Sequence, residues 1–395
     1  MKAVRIILAL LVALLVGALA MQVLTHNADP VLLRVRGVDY TTTTAYAVLG
    51  LVGAVVGVIL LWTLLTAPIH AFRRSRERRA RARLLDGLDA LQRGDWTRAE
   101  KELERAAEDP DIATAARIQA AHAAAARGDA AAAQRHLDGI PATQAATRAV
   151  ARGELALSHG RADDALAALD AADAQPLPPL GVALRAEALA LLHRNCEAYG
   201  SVAALRHVKV WSDERLARNE TLWAHNALLE AQDGNALAAT WDAMPPALRT
   251  HPRVADAYAE RAVQFGFHDA AGDALEKAVE AHPNARLIHR YAQLPGERAA
   301  QRRARIESWL KTRPDDANLH LARAHALRAQ GDEVGAELAL HHALERGAGG
   351  DAWELMGDRY ASQGDHARAQ ASYANALRTA RGEQAVAVAR TDPPR

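Results

Sequence analysis

Seventeen histidines and a single cysteine carry the widest chemical repertoire in this chain. Cys196 could supply a thiolate to the iron of a metal-porphyrin, and the neighbours His341-His342 could supply an axial imidazole. Each candidate has a plain objection. Glu197 follows Cys196 where a Cys-Pro regulatory motif would carry proline. Adjacent helical residues point about 100° apart, so His341 and His342 cannot easily serve one iron. The other histidines are scattered, many near expected helix ends such as His251, His282 and His320, where capping or solvent exposure is the ordinary use. One cysteine excludes an intramolecular disulfide framework and a Cys-rich zinc site. Serines lack a GxSxG setting, and neither a Walker loop nor an HExxH helix is present. A dinucleotide fingerprint needs a strand before its glycines. The dense glycines here lie in an apolar run or at Gly347–Gly350. No catalytic residue, metal ligand or cofactor is therefore assigned, and the chain does not read as an enzyme.

The elements that would position such residues are helices. Hydrophobic residues make up 50% of the chain while Phe, Trp and Tyr give only 4%, so alanine and leucine carry the apolar content. Both are strong helix formers. Beyond residue 84, stretches with Ala and Leu at helical spacing alternate with Gly-Asp turns and Pro breaks. Gly94-Asp95, Gly128-Asp129, Gly331-Asp332 and Gly364-Asp365 recur in matching surroundings, with Gly160-Arg161 and Gly266-Phe267 in equivalent places. Gly128 lies 34 residues after Gly94, and Pro252, Pro283 and Pro314 stand 31 apart. A period in the low thirties marks a helix-turn-helix array.

The last unit, Trp353, Met356, Gly357, Tyr360, Gly364, Ala369, Tyr373 and Ala376, has the spacing of a tetratricopeptide repeat. Small residues there let two helices approach, and large ones fill the space beside them. A weaker first unit has Gly87, Gly94, Ala99, Leu103 and Ala106, closed by Pro110. The unit around Gly266 has Ala259, Ala271, Leu275 and Ala278. In the degenerate stretch from Leu180 to Val210, Asn195 takes the place expected for the turn glycine. The Pro-rich stretch Gln175–Leu180 reads as a joint between sub-arrays or as an ordinary inter-helix loop.

Ahead of the repeats, residues 4–24 and 45–67 are apolar runs, each long enough to cross a hydrocarbon core of roughly 30 Å as a helix. Arg73, Arg74, Arg76, Arg78, Arg79, Arg81 and Arg83 follow the second run. The loop between the runs holds only Arg34 and Arg36, opposed by Asp29 and Asp39. Cytoplasmic flanks collect Lys and Arg, so both termini and the repeats are expected on the cytoplasmic side of a bacterial inner membrane. The Arg cluster also suits an anionic leaflet. A cleaved signal peptide over the first run, ending at Ala18-Leu19-Ala20, is the competing reading. The expected order is a two-span anchor at 1–72 with a short periplasmic loop, an Arg-rich segment at 73–83, a repeat solenoid at 84–380 and a flexible tail at 381–395. The fold class is all-α: two N-terminal transmembrane helices, then a tetratricopeptide-like α-solenoid. A net charge of +1 offers no argument for nucleic acid as a partner.

The two runs with their loop Asp29–Thr44, the stretch Arg81–Leu103, the segment Trp211–Glu230 and the closing repeat at Trp353 together resemble the proteobacterial HemY family. Ala28-Asp29-Pro30 and Thr43-Thr44 depart from that family's commoner loop residues. The resemblance implies an inner-membrane protein tied to a late step of protohaem synthesis or porphyrin homeostasis. The repeat array and the absence of catalytic residues point to a scaffold whose groove binds cytoplasmic proteins, haem-biosynthesis enzymes among them, beside inner-membrane lipid. Two alternatives stay open: a haem- or porphyrin-binding carrier, and an envelope assembly scaffold unrelated to haem.

Overall fold

Each Gly-Asp dipeptide ends one helix and starts the next. Gly94, Gly128, Gly331 and Gly364 adopt φ between +76° and +87°, which L side chains rarely tolerate. The following N–H closes the finished helix, as Asp95 does by donating to the Ala90 carbonyl at 2.9 Å. The aspartate then caps the new helix: Asp95, Asp129, Asp332 and Asp365 accept from the N–H three residues on. Each such cap contributes about 1 kcal/mol. Arg161 and Phe267 have no side-chain acceptor to offer, and their helices start without this bond.

A computed structural model describes residues 30–35, 38–43 and 76–388, with Gly53 and Gly57. The chain falls into two compact units, Met1–Ile140 and Pro141–Arg395.

In the first unit, β1 (Pro30–Val35) pairs antiparallel with β2 (Val38–Thr43), in register from Pro30 opposite Thr43 to Val35 opposite Val38. This hairpin corrects the all-α expectation. A chain-wide average hides a local Val-Leu-Thr run whose β-branched residues favour the pleated form. Helix α1 covers residues 76–92, followed by α2 (Trp96–Ala106), α3 (Ala113–Ala126) and α4 (Ala130–Asp138). The expected division at 83/84 therefore falls inside one continuous helix. Arg is a good helix former, so a charge run does not end a helix. Ala90, Ala99, Leu103, Ala120 and Ala123 form the core. A Cβ on Gly87 would lie 2.7 Å from Leu103 Cγ, so glycine is what lets α1 and α2 approach. The two expected spans lie outside the described residues, apart from Gly53 and Gly57. Among the described residues no helix is long and apolar enough to cross a membrane.

In the second unit the helices run α5 (Ala145–Ser158), α6 (Ala162–Asp170), α7 (Pro179–Leu191), α8 (Asn195–Gly200), α9 (Val202–Val208) and α10 (Asp213–Leu229). Then follow α11 (Gly234–Asp242), α12 (Pro246–Arg249), α13 (Pro252–Gln264), α14 (His268–Ala281), α15 (Ala285–Gln293) and α16 (Ala299–Thr312). The unit closes with α17 (Ala317–Ala329), α18 (Glu333–Glu345), α19 (Gly350–Ser362) and α20 (His366–Ala380). This is a tetratricopeptide-like array of antiparallel helix pairs. Small residues dominate its core where the helices of a pair meet: Ala255, Ala259, Ala262, Ala271, Leu275 and Ala278 interleave between α13 and α14. Pro252 occupies the first turn of α13, where a missing N–H costs nothing.

One open reading is decided here and two expectations change. The Pro-rich stretch is an inter-helix loop within one unit, for Leu177 packs on a shared core of Val150, Leu169 and Leu184. The left-handed turn residue of the degenerate repeat is His193 at φ +55°, with Asn195 two residues later as the first residue of α8. The segment expected as a loose tail is held in its first part, where Val386 hydrogen-bonds Asn375 and Val388 packs on the last core cluster. A buried amide and one apolar contact hold it, and no repeat signature announces either.

Candidate functional site

Helix α14 presents two chemically different faces. Ala271, Ala274, Leu275, Ala278 and Val279 are buried. Asp269, Asp273, Glu276 and Glu280 recur at steps of four, three and four, which puts four carboxylates on one stripe. Facing them are Arg298, Arg302 and Arg305, at steps of four and three along the start of α16. Arg298 Nε lies 3.0 Å from Asp269 and its Nη1 3.6 Å from Asp273. Arg305 pairs with Glu276, and with Glu280 at 3.5 Å. These pairs are largely solvated, so each contributes at most about 1 kcal/mol. Their effect is to fix the register of the two helices and to leave a charged cleft of about 400 Å³ between them.

The floor of this cleft is less polar than its rim. Tyr291 packs at 5.2 Å, tilted, on Trp309. Its hydroxyl donates to Glu276 Oε2 at 3.3 Å. Burial pushes the phenol up to about 12, opposed by nearby Arg302, so Tyr291 stays neutral and acts as a donor. Arg302 is 8% exposed and donates to the Leu294 carbonyl at 2.7 Å. Burial lowers its pKa. At the mouth, His268 Nδ1 is buried without a hydrogen-bond partner among the described residues.

A second cleft of about 440 Å³ opens on the other side of α14, and Asp273 borders both. Its floor is a stacked pair, Trp241 of α11 on Tyr258 of α13, with ring centroids 3.9 Å apart and planes at 18°. Arg249 and Lys277 supply positive charge at the rim, and Asp242 and Asp273 negative charge. Trp241 and Tyr258 come together because Pro245-Pro246 turns the chain through the short α12 before α13 begins. An aromatic floor under a mixed-charge rim suits a protein segment. It buries an apolar side chain while fixing the direction of the backbone.

The residues singled out from sequence are not brought together. Cys196 is exposed as a free thiol on α8. His342 stands edge-on to His320 of α17 at 5.6 Å, not beside His341 as a ligand pair. His251 does cap a helix, its Nδ1 accepting from Arg253 N–H at 3.3 Å. His320 departs from the capping-or-surface expectation: it is buried, with Nε2 2.8 Å from the Pro314 carbonyl. A pairing not anticipated is His289 of α15 with His325 of α17, whose rings lie 5.0 Å apart. Among the described residues no group of three His, Cys, Asp or Glu side chains could hold a metal ion. Of the cleft residues, the carboxylate stripe of α14 was open to a helical-wheel reading. The Trp241–Tyr258 stack was not, since it joins residues from different pairs.

Comparisons with known proteins add the following. Residues 30–128 match the family model described as HemY protein N-terminus. No curated protein matches the sequence. Among solved structures, a tetratricopeptide repeat protein from Parabacteroides merdae is 16% identical, with a TM-score of 0.29, covering 68% of this chain and 94% of that one. The P58(IPK) TPR domain is 16% identical with a TM-score of 0.25, over 77% of this chain and 98% of that one. The Naa15/Naa10 complex bound to HypK-THB is 16% identical with a TM-score of 0.29 over 73% of this chain. There the chain spans about half, 51%, of its counterpart.

Proposed function

We propose, from the match of residues 30–128 to the model of the HemY N-terminus, that this chain is a membrane-tethered repeat scaffold that gathers partner proteins for a late step of haem synthesis or porphyrin homeostasis. The observation that carries the binding role is the pair of clefts flanking α14. Residues 4–24 and 45–67 would hold the array at the bilayer, with the Arg cluster after them on the cytoplasmic leaflet. The partners would be cytoplasmic proteins, engaged through an apolar side chain on the Trp241–Tyr258 floor and polar contacts at Arg249 and Lys277. Stacked helix pairs suit this task because their grooves are long and tolerate variation at individual positions.

The test is crosslinking of the full-length protein in its native membrane, followed by capture, beside a Trp241→Ala/Lys277→Glu variant. Haem-pathway enzymes should be enriched with the natural protein and reduced at least tenfold with the variant, at equal abundance. Equal recovery by both would sink the cleft assignment. A partner set unrelated to tetrapyrrole enzymes would sink the pathway assignment while leaving the scaffold.

A further inference from the structure

The three arginines on the basic stripe of α16 are not equivalent. Arg298 and Arg305 are exposed and engaged by the carboxylates of α14, Arg298 by Asp269 and Asp273, Arg305 by Glu276 and Glu280. Arg302, between them, is buried and pairs with no carboxylate among the described residues. Its Nη2 donates to the Leu294 carbonyl at 2.7 Å and more loosely to the Gly296 carbonyl at 3.5 Å. These bonds hold the loop between α15 and α16. They use one nitrogen of the three, and Nε and Nη1 donate to nothing among the described residues. Both carbonyls are neutral, so a buried positive charge lacks a counter-charge, and burial lowers its pKa.

The opposite wall has the complementary shortfall, with four carboxylates facing two paired arginines. Asp273 is the least engaged of them. It is exposed, and its contact with Arg298 is 3.6 Å, long for a charge-assisted hydrogen bond. An unpaired cation and an under-paired anion thus line one cleft of about 400 Å³ and form no ion pair with each other. That volume lies in the range of small-molecule sites. A simple anion would meet Arg302 but also face the acidic stripe of α14, and a simple cation would meet the reverse. A molecule that carries both signs satisfies both walls.

We propose that the charged cleft binds a small zwitterion, a molecule with a carboxylate for Arg302 and an ammonium group for Asp273. The planar guanidinium fork of Arg302 matches a carboxylate, and Gln301 and Ser308 add neutral polar groups to the same lining. The assignment rests on the reading of the clefts beside α14 as binding surfaces. Its occupant, however, lies on the side of α14 away from the Trp241–Tyr258 floor. Capture of a protein partner through that floor therefore survives a failure of this assignment.

The test is isothermal titration calorimetry of the purified full-length protein with glycine, β-alanine, γ-aminobutyrate and δ-aminovalerate, a series that lengthens the charge separation. At least one member should saturate with a Kd at or below about 1 mM. Butyrate and butylamine, each with one of the two charges, should bind at least about tenfold more weakly. Arg302→Met, which keeps an unbranched stem and removes the charge, should also weaken binding at least about tenfold. No saturation by any member of the series, or equal affinity for the single-charge analogues, overturns the proposal. If Arg302→Met loses helical content by circular dichroism, Asp273→Asn at the exposed rim takes its place, and undiminished binding by that variant overturns the proposal. Tighter binding of acetyl-alanyl-lysine than of any free amino acid would assign the cleft to a protein chain end and overturn the small-molecule reading.

Discussion

His193 occupies a left-handed turn position at φ +55° that glycine fills in the neighbouring repeats. Its side chain is almost wholly solvent-exposed and only 3.9 Å from Glu230 at its nearest, so little is lost by removing it. A non-glycine residue in this conformation costs about 1 kcal/mol. His193→Gly should therefore raise stability by about 0.5–1 kcal/mol in urea denaturation; a loss of stability would show that the His193–Glu230 contact outweighs the backbone strain. At His325, burial holds the imidazole down at about 4, with His289 and Arg328 adding to the effect and Asp351 opposing it. The folded pKa lies below the unfolded value of about 6.5, so the unfolded chain binds the extra proton. Stability is thus full above pH 6.5 and falls as pH drops toward 4, by up to about 3 kcal/mol. His325→Phe should flatten this part of the Tm-versus-pH curve relative to the natural protein. Parallel curves would refute the assignment to His325.

Among the elements, α13 and α15 are joined by a buried charge. Asp256 of α13 is 7% exposed. It accepts from Arg286 Nε at 2.7 Å and from Arg290 Nε, both on α15. Glu260, one turn on, takes a second bond from Arg290 at 3.1 Å. Removing one partner of a buried pair strands the other, which costs about 3–5 kcal/mol in well-buried cases. Arg286 is mostly solvated, so the cost here falls somewhat below that range. Asp256→Ala should lower the unfolding free energy by about 2–3 kcal/mol, while Asp269→Ala, at the solvated rim of the charged cleft, should change it by less than about 1 kcal/mol. Equal effects in chemical denaturation would contradict the contrast between a buried pair and a rim pair. The histidine pair His289–His325 sits on the same α15–α17 stretch, so acid should loosen this region before the rest of the second unit.

For the whole molecule, the two-unit division makes its own prediction. The second unit contains its own continuous clusters, from Ala156, Leu166 and Trp223 through Leu275 and Ile306 to Leu340 and Tyr360. A chain beginning at Pro141 should therefore fold alone, with a cooperative thermal transition and helical circular dichroism. A non-cooperative melt would show that the first unit is required. The folded piece would also offer the clefts beside α14 for partner titration without the apolar N-terminal runs.

The repeat period, the helix-pair architecture and the residues that let pairs approach were legible in the sequence. Gly87 against Leu103, the buried Ala99, Leu103 and Ala106, and Ala259, Ala271, Leu275 and Ala278 all lie where the spacing put them. Such features depend on residues three or four apart, or on one glycine in one turn, and local periodicity records them directly. Tyr373 fills the space over Gly357 as the repeat pattern cast it, but the pattern did not foretell that it is 37% exposed and donates its hydroxyl to Asp358 at 2.9 Å.

Only the tertiary structure could decide which side chains meet across pairs. Asp256 with Arg286 and Arg290, Trp241 on Tyr258, His289 on His325 and Asn375 on the tail each join residues at least 11 apart on different segments. A charged residue reads as solvated in sequence until packing buries it, and a polar amide reads as surface until another segment covers it. The sequence by itself thus determined a helical array of repeats. The packing of successive pairs decided where that array became a set of clefts, because burial and contact belong to neighbours in space.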